Sequence, residues 1–274
     1  MRRIFVPLHG PDDASTLLQL AATLALPFDA RIEAAFVEDE PDRHDGASSS
    51  EGLATRSLFE SWSAAQPEAD LPLRATWREI SDGAVYAGAS IGRASDLIIT
   101  RSLGPSTVQA PEEDRIVHAA RSERRFRDAL LASGRLTLLA PPGQIEAAGL
   151  LDQVVVAWDG SAGAAHALGQ SLSLLAQARS VRVIIIGRNT VGLRACDAIE
   201  SYVGLYNDNT RLAVQDNTHR QTGRVLLDAM HAEGASAVVM GTRGRSQSGA
   251  AGITLGGTIL KVIEKGRIPI LTAS

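Results

Sequence analysis

The most informative stretch of this chain is Val238-Val-Met-Gly-Thr-Arg-Gly-Arg-Ser-Gln-Ser-Gly-Ala-Ala-Gly-Ile-Thr-Leu-Gly-Gly-Thr258. A short apolar strand runs here into a loop rich in Gly, Ser and Thr, and a helical pattern follows directly. Glycines let a backbone approach a ligand closely, and the start of a helix offers free N–H groups and a positive dipole end. The stretch therefore predicts an anion site, most often one for phosphate. A loop whose glycines only form tight turns fits the same residues.

The composition is that of an ordinary globular protein, with 45% apolar and 21% charged residues among 274. The formal net charge is -4 and the pI is about 5.9, so we expect no nucleic-acid-binding face, which would have to be basic. No apolar run reaches the roughly 18 residues of a membrane span, and no signal peptide is recognisable. Cys196 is the only cysteine, which excludes an internal disulfide and favours a cytoplasmic protein. The histidines show no metal-ligand spacing, so no metal site is expected.

The two halves of the chain repeat each other. Arg3-Ile-Phe-Val-Pro-Leu-His-Gly10 opens the first half, and Gln153-Val-Val-Val-Ala-Trp-Asp-Gly160 opens the second. The offset between matching segments falls from 150 to 141 and then to 132, while the order of the segments is kept. The halves join near Pro141-Pro142-Gly143, which predicts domains at 1–142 and 143–274.

Within each half, strand and helix patterns alternate. Uninterrupted Val and Ile runs indicate strands covered on both faces, hence a parallel sheet between helices. Residues 38–51, acidic and then Ser-rich, predict a loop. In such sheets ligands lie beyond the carboxyl ends of the strands, which is where Asp159-Gly160-Ser161 and the glycine loop fall. In the second half the predicted strands are 154–158, 181–186, 212–215, 237–240 and 268–271, and the predicted helices are 164–177, 219–233 and 258–265.

Together these residues resemble the universal stress protein family in its tandem two-domain form, over nearly the whole chain. Asp159 stands where that family has an Asp after its first strand, and Gly241-Thr-Arg-Gly244 matches the opening of its Gly-x2-Gly-x9-Gly-(Ser/Thr) loop. Eleven residues rather than nine separate Gly244 from Gly256, so the loop is longer than the pattern. The resemblance implies an α/β protein of two tandem doubly wound α/β sandwich domains. Each would have a mainly parallel five-stranded sheet of the adenine-nucleotide α-hydrolase-like type.

The resemblance also implies ATP as the ligand of the second domain, with or without Mg²⁺. Phosphates would lie on the glycine loop, and adenine and ribose at the ends of the first two strands. Arg243 and Arg245 could pair with phosphate oxygens or be solvated. The carboxylate of Asp159 can accept a hydrogen bond from a ribose hydroxyl or an adenine amine, although Asp-Gly-Ser is also ordinary turn chemistry. The implied contact residues are Ala157, Asp159, Gly187, Met240, Gly241, Gly244, Arg245, Gly256, Gly257 and Thr258.

The first half lacks the corresponding residues. His9 stands at the Asp position, and Thr100-Arg-Ser-Leu103 replaces the Gly-x2-Gly opening. A phosphate cradle needs close backbone approach without Cβ atoms in the way. We therefore expect the first domain to bind no nucleotide in the family's manner, and to pack against the second domain or hold another ligand.

The leading hypothesis is a stress-response protein that binds ATP in its C-terminal domain with little or no catalysis, since no general base or metal carboxylate stands beside the loop. The alternatives are an interaction module of the same fold that binds no nucleotide, and a weak ATP hydrolase.

The last predicted strand, Ile268-Pro-Ile-Leu-Thr272, could lie at the edge of a sheet, since proline is tolerated in edge strands. The resemblance implies that the last strands of the two domains pair, which would give an intrachain pseudo-dimer, and a homodimer is also open.

Overall fold

The chain divides into two compact units, Met1–Ala147 and Ala148–Ser274, named unit 1 and unit 2. The domain boundary predicted after residue 142 stays a prediction. Of the predicted site, Gly244 and Arg245 lie outside the described residues, as do Arg243 and residues 38–49 of the predicted loop. The computed structural model describes residues 1–37, 50–66, 73–78, 91–102, 133–143, 145–187, 193–216, 221–242 and 255–273.

Unit 1 is a parallel sheet with helices. The strand order is β3-β2-β1-β4-β5, and every neighbouring pair is parallel. Its described strands are β1 (Arg3–Leu8), β2 (Arg31–Phe36), β3 (Arg74–Trp77), β4 (Leu97–Arg101) and β5 (Leu136–Ala140). Its described helices are α1 (Pro11–Ala25), followed by a short 3-10 turn, and α2 (Ser50–Ala64).

Unit 2 repeats this order. Its described strands are β6 (Gln153–Trp158), β7 (Ser180–Ile186), β8 (Thr210–Gln215), β9 (Ala237–Val239) and β10 (Ile270–Thr272). Its described helices are α3 (Ala162–Leu175), α4 (Leu193–Gly204), α5 (Thr222–Ala232) and α6 (Gly257–Lys265). The parallel order β8-β7-β6-β9-β10 places a switch between β6 and β9, where the chain returns from one side of the sheet to the other.

The sequence patterns explain why these elements form. Val154, Val155 and Val156 are consecutive and at most 1% exposed. Because alternate residues of a strand point to opposite faces, β6 is covered on both sides. The buried positions of α6 include Ile259 and Val262, which lie three residues apart on one helical face. The predicted doubly wound, mainly parallel α/β class is confirmed. No helix within the described ranges combines the length and the apolar character that crossing a membrane requires.

The element boundaries differ from the predictions in several places. Helix α3 begins two residues earlier than predicted, because the Ser161 hydroxyl accepts a hydrogen bond from the N–H of Ala164 at 3.1 Å and caps it. Strand β10 begins only at Ile270, after Pro269, which has no N–H to donate. The last two residues of the predicted loop 38–51 belong to α2, and α4 was not predicted at all.

Candidate functional site

A cleft of about 150 Å³ opens at the carboxyl edge of the unit 2 sheet, beside the switch between β6 and β9. It is bounded by the ends of β6, β7 and β9 and by the first turns of α3, α5 and α6. This is the place where doubly wound folds bind ligands. The lining residues are Ala157, Trp158, Asp159, Ala164, Ile184, Ile186, Thr222, Leu226, Met240, Gly241, Thr242, Gly256, Gly257, Thr258 and Ile259.

Most of the predicted contact residues come together here. Ala157, Asp159, Met240, Gly241, Gly256, Gly257 and Thr258 all line the cleft. Gly187 does not line it, whereas its neighbour Ile186 does; the Gly187 N–H donates to the carbonyl of Gln215 at 2.8 Å. Lining a cleft is not the same as contacting a ligand, so the ten assignments remain predictions.

Asp159 follows β6 and is half-buried. Its Oδ1 accepts a hydrogen bond from the N–H of Ser161 at 2.9 Å, across Gly160, whose φ of 73° lies in the left-handed region. This is the ordinary turn role that Asp-Gly-Ser suggests. Its second oxygen, Oδ2, has no hydrogen-bond partner among the described residues. One carboxylate oxygen therefore serves the turn, and the other is available to a ligand.

The helix starts at the cleft differ in their capping. Helix α3 is capped by the Ser161 side chain. Helix α6 follows Gly256, which has no side chain to cap it, and the N–H groups of Gly257, Thr258 and Ile259 have no acceptor among the described residues. The uncapped first turn of α6 therefore presents free donors and a positive dipole end at the cleft.

Gly241 brings β9 into direct contact with the start of α3. A Cβ at this position would lie 2.6 Å from the main-chain nitrogen of Ala164 and 2.7 Å from the carbonyl carbon of Gly163. Both are backbone atoms, so no side-chain rotation can relieve the overlap. The glycine is needed for close approach of two elements, as well as for any approach of a ligand.

One wall of the cleft is apolar. Ala157 on β6 and Ile184 on β7 are opposite each other in register and therefore share a face, and Ile186 lies two residues further along that face. Leu226 of α5 and Ile259 of α6 add to the lining. Asp159 is the single ionisable side chain in the described lining. Elsewhere in the described ranges, no three His, Cys, Asp or Glu side chains come together as a metal site.

Sequence reasoning missed the contribution of α5. Thr222 and Leu226 lie one helical turn apart on α5, and both line the cleft. The periodic pattern assigned Leu226 to the apolar side of a helix. The available signal was topological: every helix of a parallel sheet starts at the carboxyl edge, so the start of α5 had to lie beside the site.

The same edge of unit 1 is filled differently. The sequence comparison matched Thr100 to Gly241, but the strand register matches Arg101 to it, because Leu97 pairs with Ile4 in β1 as Ala237 pairs with the equivalent Val154 in β6. Arg101 donates through Nε to Asp13 Oδ1 at 2.6 Å, and its Nη1 donates to the carbonyls of Pro141 at 2.6 Å and Gly143 at 2.9 Å. Side chains bonded to one another thus replace glycine backbone here.

The fold matches solved structures of universal stress proteins. A universal stress protein from Archaeoglobus fulgidus DSM 4304 has a TM-score of 0.62 and 16% identity, over 99% of this chain and 96% of that chain. A candidate universal stress protein from Pseudomonas aeruginosa UCBPP-PA14 has a TM-score of 0.62 and 14% identity, over 99% of this chain and 92% of that chain. The sequence matches no protein-family model and no curated protein. The predicted resemblance to two-domain universal stress proteins is therefore confirmed at the level of the fold.

Proposed function

We propose that this chain is a stress-response protein of the universal stress type, and that it binds ATP or a related adenine nucleotide in the cleft of unit 2. One observation carries the proposal. The available oxygen of Asp159, the uncapped start of α6 and an apolar wall all line a single cleft. An adenine nucleotide has a matching part for each, namely hydroxyl and amine donors, phosphates and a planar ring.

Each part of the nucleotide has a proposed place. The phosphates would accept hydrogen bonds from the N–H groups of Gly257 and Thr258, with the predicted contacts Gly244 and Arg245 supplying the rest of the loop. Asp159 Oδ2 would accept from a ribose hydroxyl or the adenine amine. Bound Mg²⁺ would be held mainly by the phosphates, since Asp159 is the single carboxylate in the described lining.

The proposed role is binding with little or no turnover. Hydrolysis needs a base within hydrogen-bond reach of an attacking water. Asp159 is the one acid or base in the described lining; its Oδ1 is bonded to the Ser161 N–H, and its Oδ2 would be bonded to the ribose hydroxyl or the adenine amine and not to a water at the phosphates. Release of phosphate by the purified chain would instead favour the weak hydrolase.

Calorimetric titration of the intact chain with ATP and Mg²⁺ tests the proposal directly. A binder at one hundred times its Kd should also gain about 2.7 kcal/mol in the free energy of unfolding, visible as a thermal shift. GTP under the same conditions measures how far the site selects adenine. No heat and no thermal shift at millimolar ATP would refute the proposal and favour an interaction module that binds no nucleotide.

A matched pair of variants separates the two oxygens of Asp159. Asp159→Asn keeps an oxygen that accepts from the Ser161 N–H, but replaces the other acceptor by an amide donor. We expect its thermal stability to stay near wild type and its ATP affinity to fall by about tenfold, the value of one charged hydrogen bond. Asp159→Ala should lower both the thermal stability and the ATP affinity. Unchanged affinity in Asp159→Asn would remove this carboxylate from the proposed site.

The same titration reports on unit 1. A backbone cradle there would need Arg101, the counterpart of Gly241 in the strand register, to approach a ligand as closely as a glycine does, and its side chain is paired with Asp13 instead. We therefore propose one nucleotide per chain. A stoichiometry of two would show that unit 1 also binds.

A further inference from the structure

Helices α5 and α6 approach each other closely beside the cleft, and the contact point is Gly223. This glycine is the second residue of α5 and is buried. A Cβ at position 223 would lie 3.0 Å from Cβ and 3.2 Å from Cγ of Lys261, and 3.6 Å from Cα of Thr258. At this point α5 contributes only backbone to the contact, and α6 contributes the stem of the Lys261 side chain.

The backbone of α5 does not itself require glycine at this position. Gly223 is absent from the residues with a left-handed φ, so its conformation is one that any residue adopts. Glycine is also among the least favourable residues in a helix interior. Gly169 in α3 offers the comparison, because a Cβ there would meet no atom within 4 Å. Close packing against a neighbouring helix is therefore found at Gly223 and not at Gly169.

The residues beside this contact line the cleft. Thr222 and Leu226 flank Gly223 on α5, and Thr258 and Ile259 form the first turn of α6. The distance between the helices at Gly223 is therefore also the distance between two walls of the cleft. A side chain at position 223 would press on Cβ and Cγ of Lys261 and so push the first half of α6 away from α5.

We propose that Gly223 is a positioning residue for the cleft: its missing side chain sets the spacing between the α5 wall and the first turn of α6. With this spacing, one ligand can pack its ring against Leu226 while its anionic group reaches the free N–H groups of α6. The proposal rests on the proposed function, since the ligand used is the nucleotide. Gly223 acts through Lys261 on α6 and does not line the cleft itself.

The test uses the full chain, ATP with Mg²⁺ as the probe, and calorimetric Kd as the readout. Gly223→Val should raise the Kd by at least about tenfold. Gly223→Ala should raise it less, because the Lys261 side chain can yield by a few tenths of an ångström. Gly169→Ala is the matched control for glycine replacement in a helix, and its Kd should equal that of the wild type.

A second-site change distinguishes spacing from stability. Lys261→Gly removes the Cβ and Cγ atoms that a side chain at position 223 would meet. Combined with Gly223→Ala, it should restore the wild-type Kd, while a lowered melting temperature need not recover. If the Gly223 variants melt earlier but bind ATP with the wild-type Kd, Gly223 is merely structural and the inference is overturned.

The outcomes also separate this inference from the function on which it rests. A wild-type chain that binds no ATP overturns the proposed function, and the inference falls with it. A wild-type chain that binds, beside folded Gly223 variants that bind equally well, overturns the inference alone. If Gly223→Val does not fold, Gly223→Ala with and without Lys261→Gly decides the question.

Discussion

The N–H of Gly256 donates a hydrogen bond to the carbonyl oxygen of Thr242 at 2.9 Å. This bond joins the residue after Gly241 to the residue that immediately precedes α6. The two ends of the glycine loop therefore meet at a closed base. We therefore expect the length of the chain between these two residues to have little effect on the position of α6.

Shortening the loop should accordingly be tolerated. Deletion of Ala250 and Ala251 would reduce the spacing between Gly244 and Gly256 from eleven residues to the nine of the family pattern. We expect an unchanged melting temperature and an ATP Kd within about threefold of wild type, because the entropy of loop closure varies slowly with length. Calorimetry and thermal unfolding measure both quantities.

The control for this prediction removes the closing bond and keeps the loop length. Gly256 has φ of -66° and ψ of 147°, which proline adopts readily, so Gly256→Pro removes the N–H donor at an unchanged backbone conformation, while Gly256→Ala keeps the donor and controls for the added carbon atoms. The proline variant should weaken ATP binding more than the deletion does. The reverse order would show that loop length, and not its closed base, places the start of α6.

Gly241→Ala should destabilise unit 2. The added Cβ would meet main-chain atoms of Gly163 and Ala164, which cannot rotate away. We expect a loss of about 1–3 kcal/mol in the free energy of unfolding, as for other overpacked sites. Gly257→Ala is the control, because its Cβ meets no atom within 4 Å, and it should stay within about 0.5 kcal/mol. Urea unfolding of both variants measures these losses. Equal stability of the two variants would contradict the close contact between Gly241 and the start of α3.

Glu33 should make unit 1 sensitive to acid. Its carboxylate on β2 is bonded to the guanidinium groups of Arg3 and Arg78. Burial acts to raise the pKa of Glu33, but these hydrogen bonds and positive charges outweigh it and hold the pKa below its usual 4.5. The stabilisation by charged Glu33 is therefore fully present above about pH 4.5, and it is lost as the pH falls through the lowered pKa.

The variant Glu33→Gln tests this sign. At pH 7 it should cost about 1–3 kcal/mol in the free energy of unfolding, the range for hydrogen bonds to charged groups. At pH 3 the gap to the wild type should narrow. Asp29→Asn, which breaks the exposed pair with Arg74, is the control and should cost less than about 1 kcal/mol. A gap that widens on acidification would show that Glu33 is not stabilised in its charged form.

Asn207 should be a stability determinant of unit 2. Its buried amide donates to the carbonyls of Leu175 at 2.8 Å and Ala178 at 2.6 Å, and its Oδ1 accepts from the N–H of Asn209 at 2.9 Å. Asn207→Ala leaves these groups without partners and should cost about 1–3 kcal/mol. Asn209→Ala removes a single hydrogen bond, from its exposed side chain to the carbonyl of Arg179, and should lower the free energy of unfolding by less. Similar losses in the two variants, measured by urea unfolding, would contradict the role of burial.

Much of the site could be predicted because its signals are local. Asp159 was expected at a strand end from the apolar run before it, and Gly241 at the start of a loop from the glycine pattern. The part played by α5 was not predicted, because Thr222 and Gly223 carry no motif. Their position matters only because α6, more than thirty residues further along the chain, packs against them.

The amino-acid sequence was enough to predict the class of fold, the repeat of two units and the edge of the sheet where a ligand would lie. Periodicity and turn chemistry act over a few residues, so they can be read without a structure. The folded chain decided which polar groups have no partner among the described residues, namely Oδ2 of Asp159 and the first N–H groups of α6. It also decided how closely the walls of the cleft approach, through Gly241 against Ala164 and Gly223 against Lys261. Both depend on contacts between residues far apart in the chain, because availability and spacing are properties of packing and not of any local pattern.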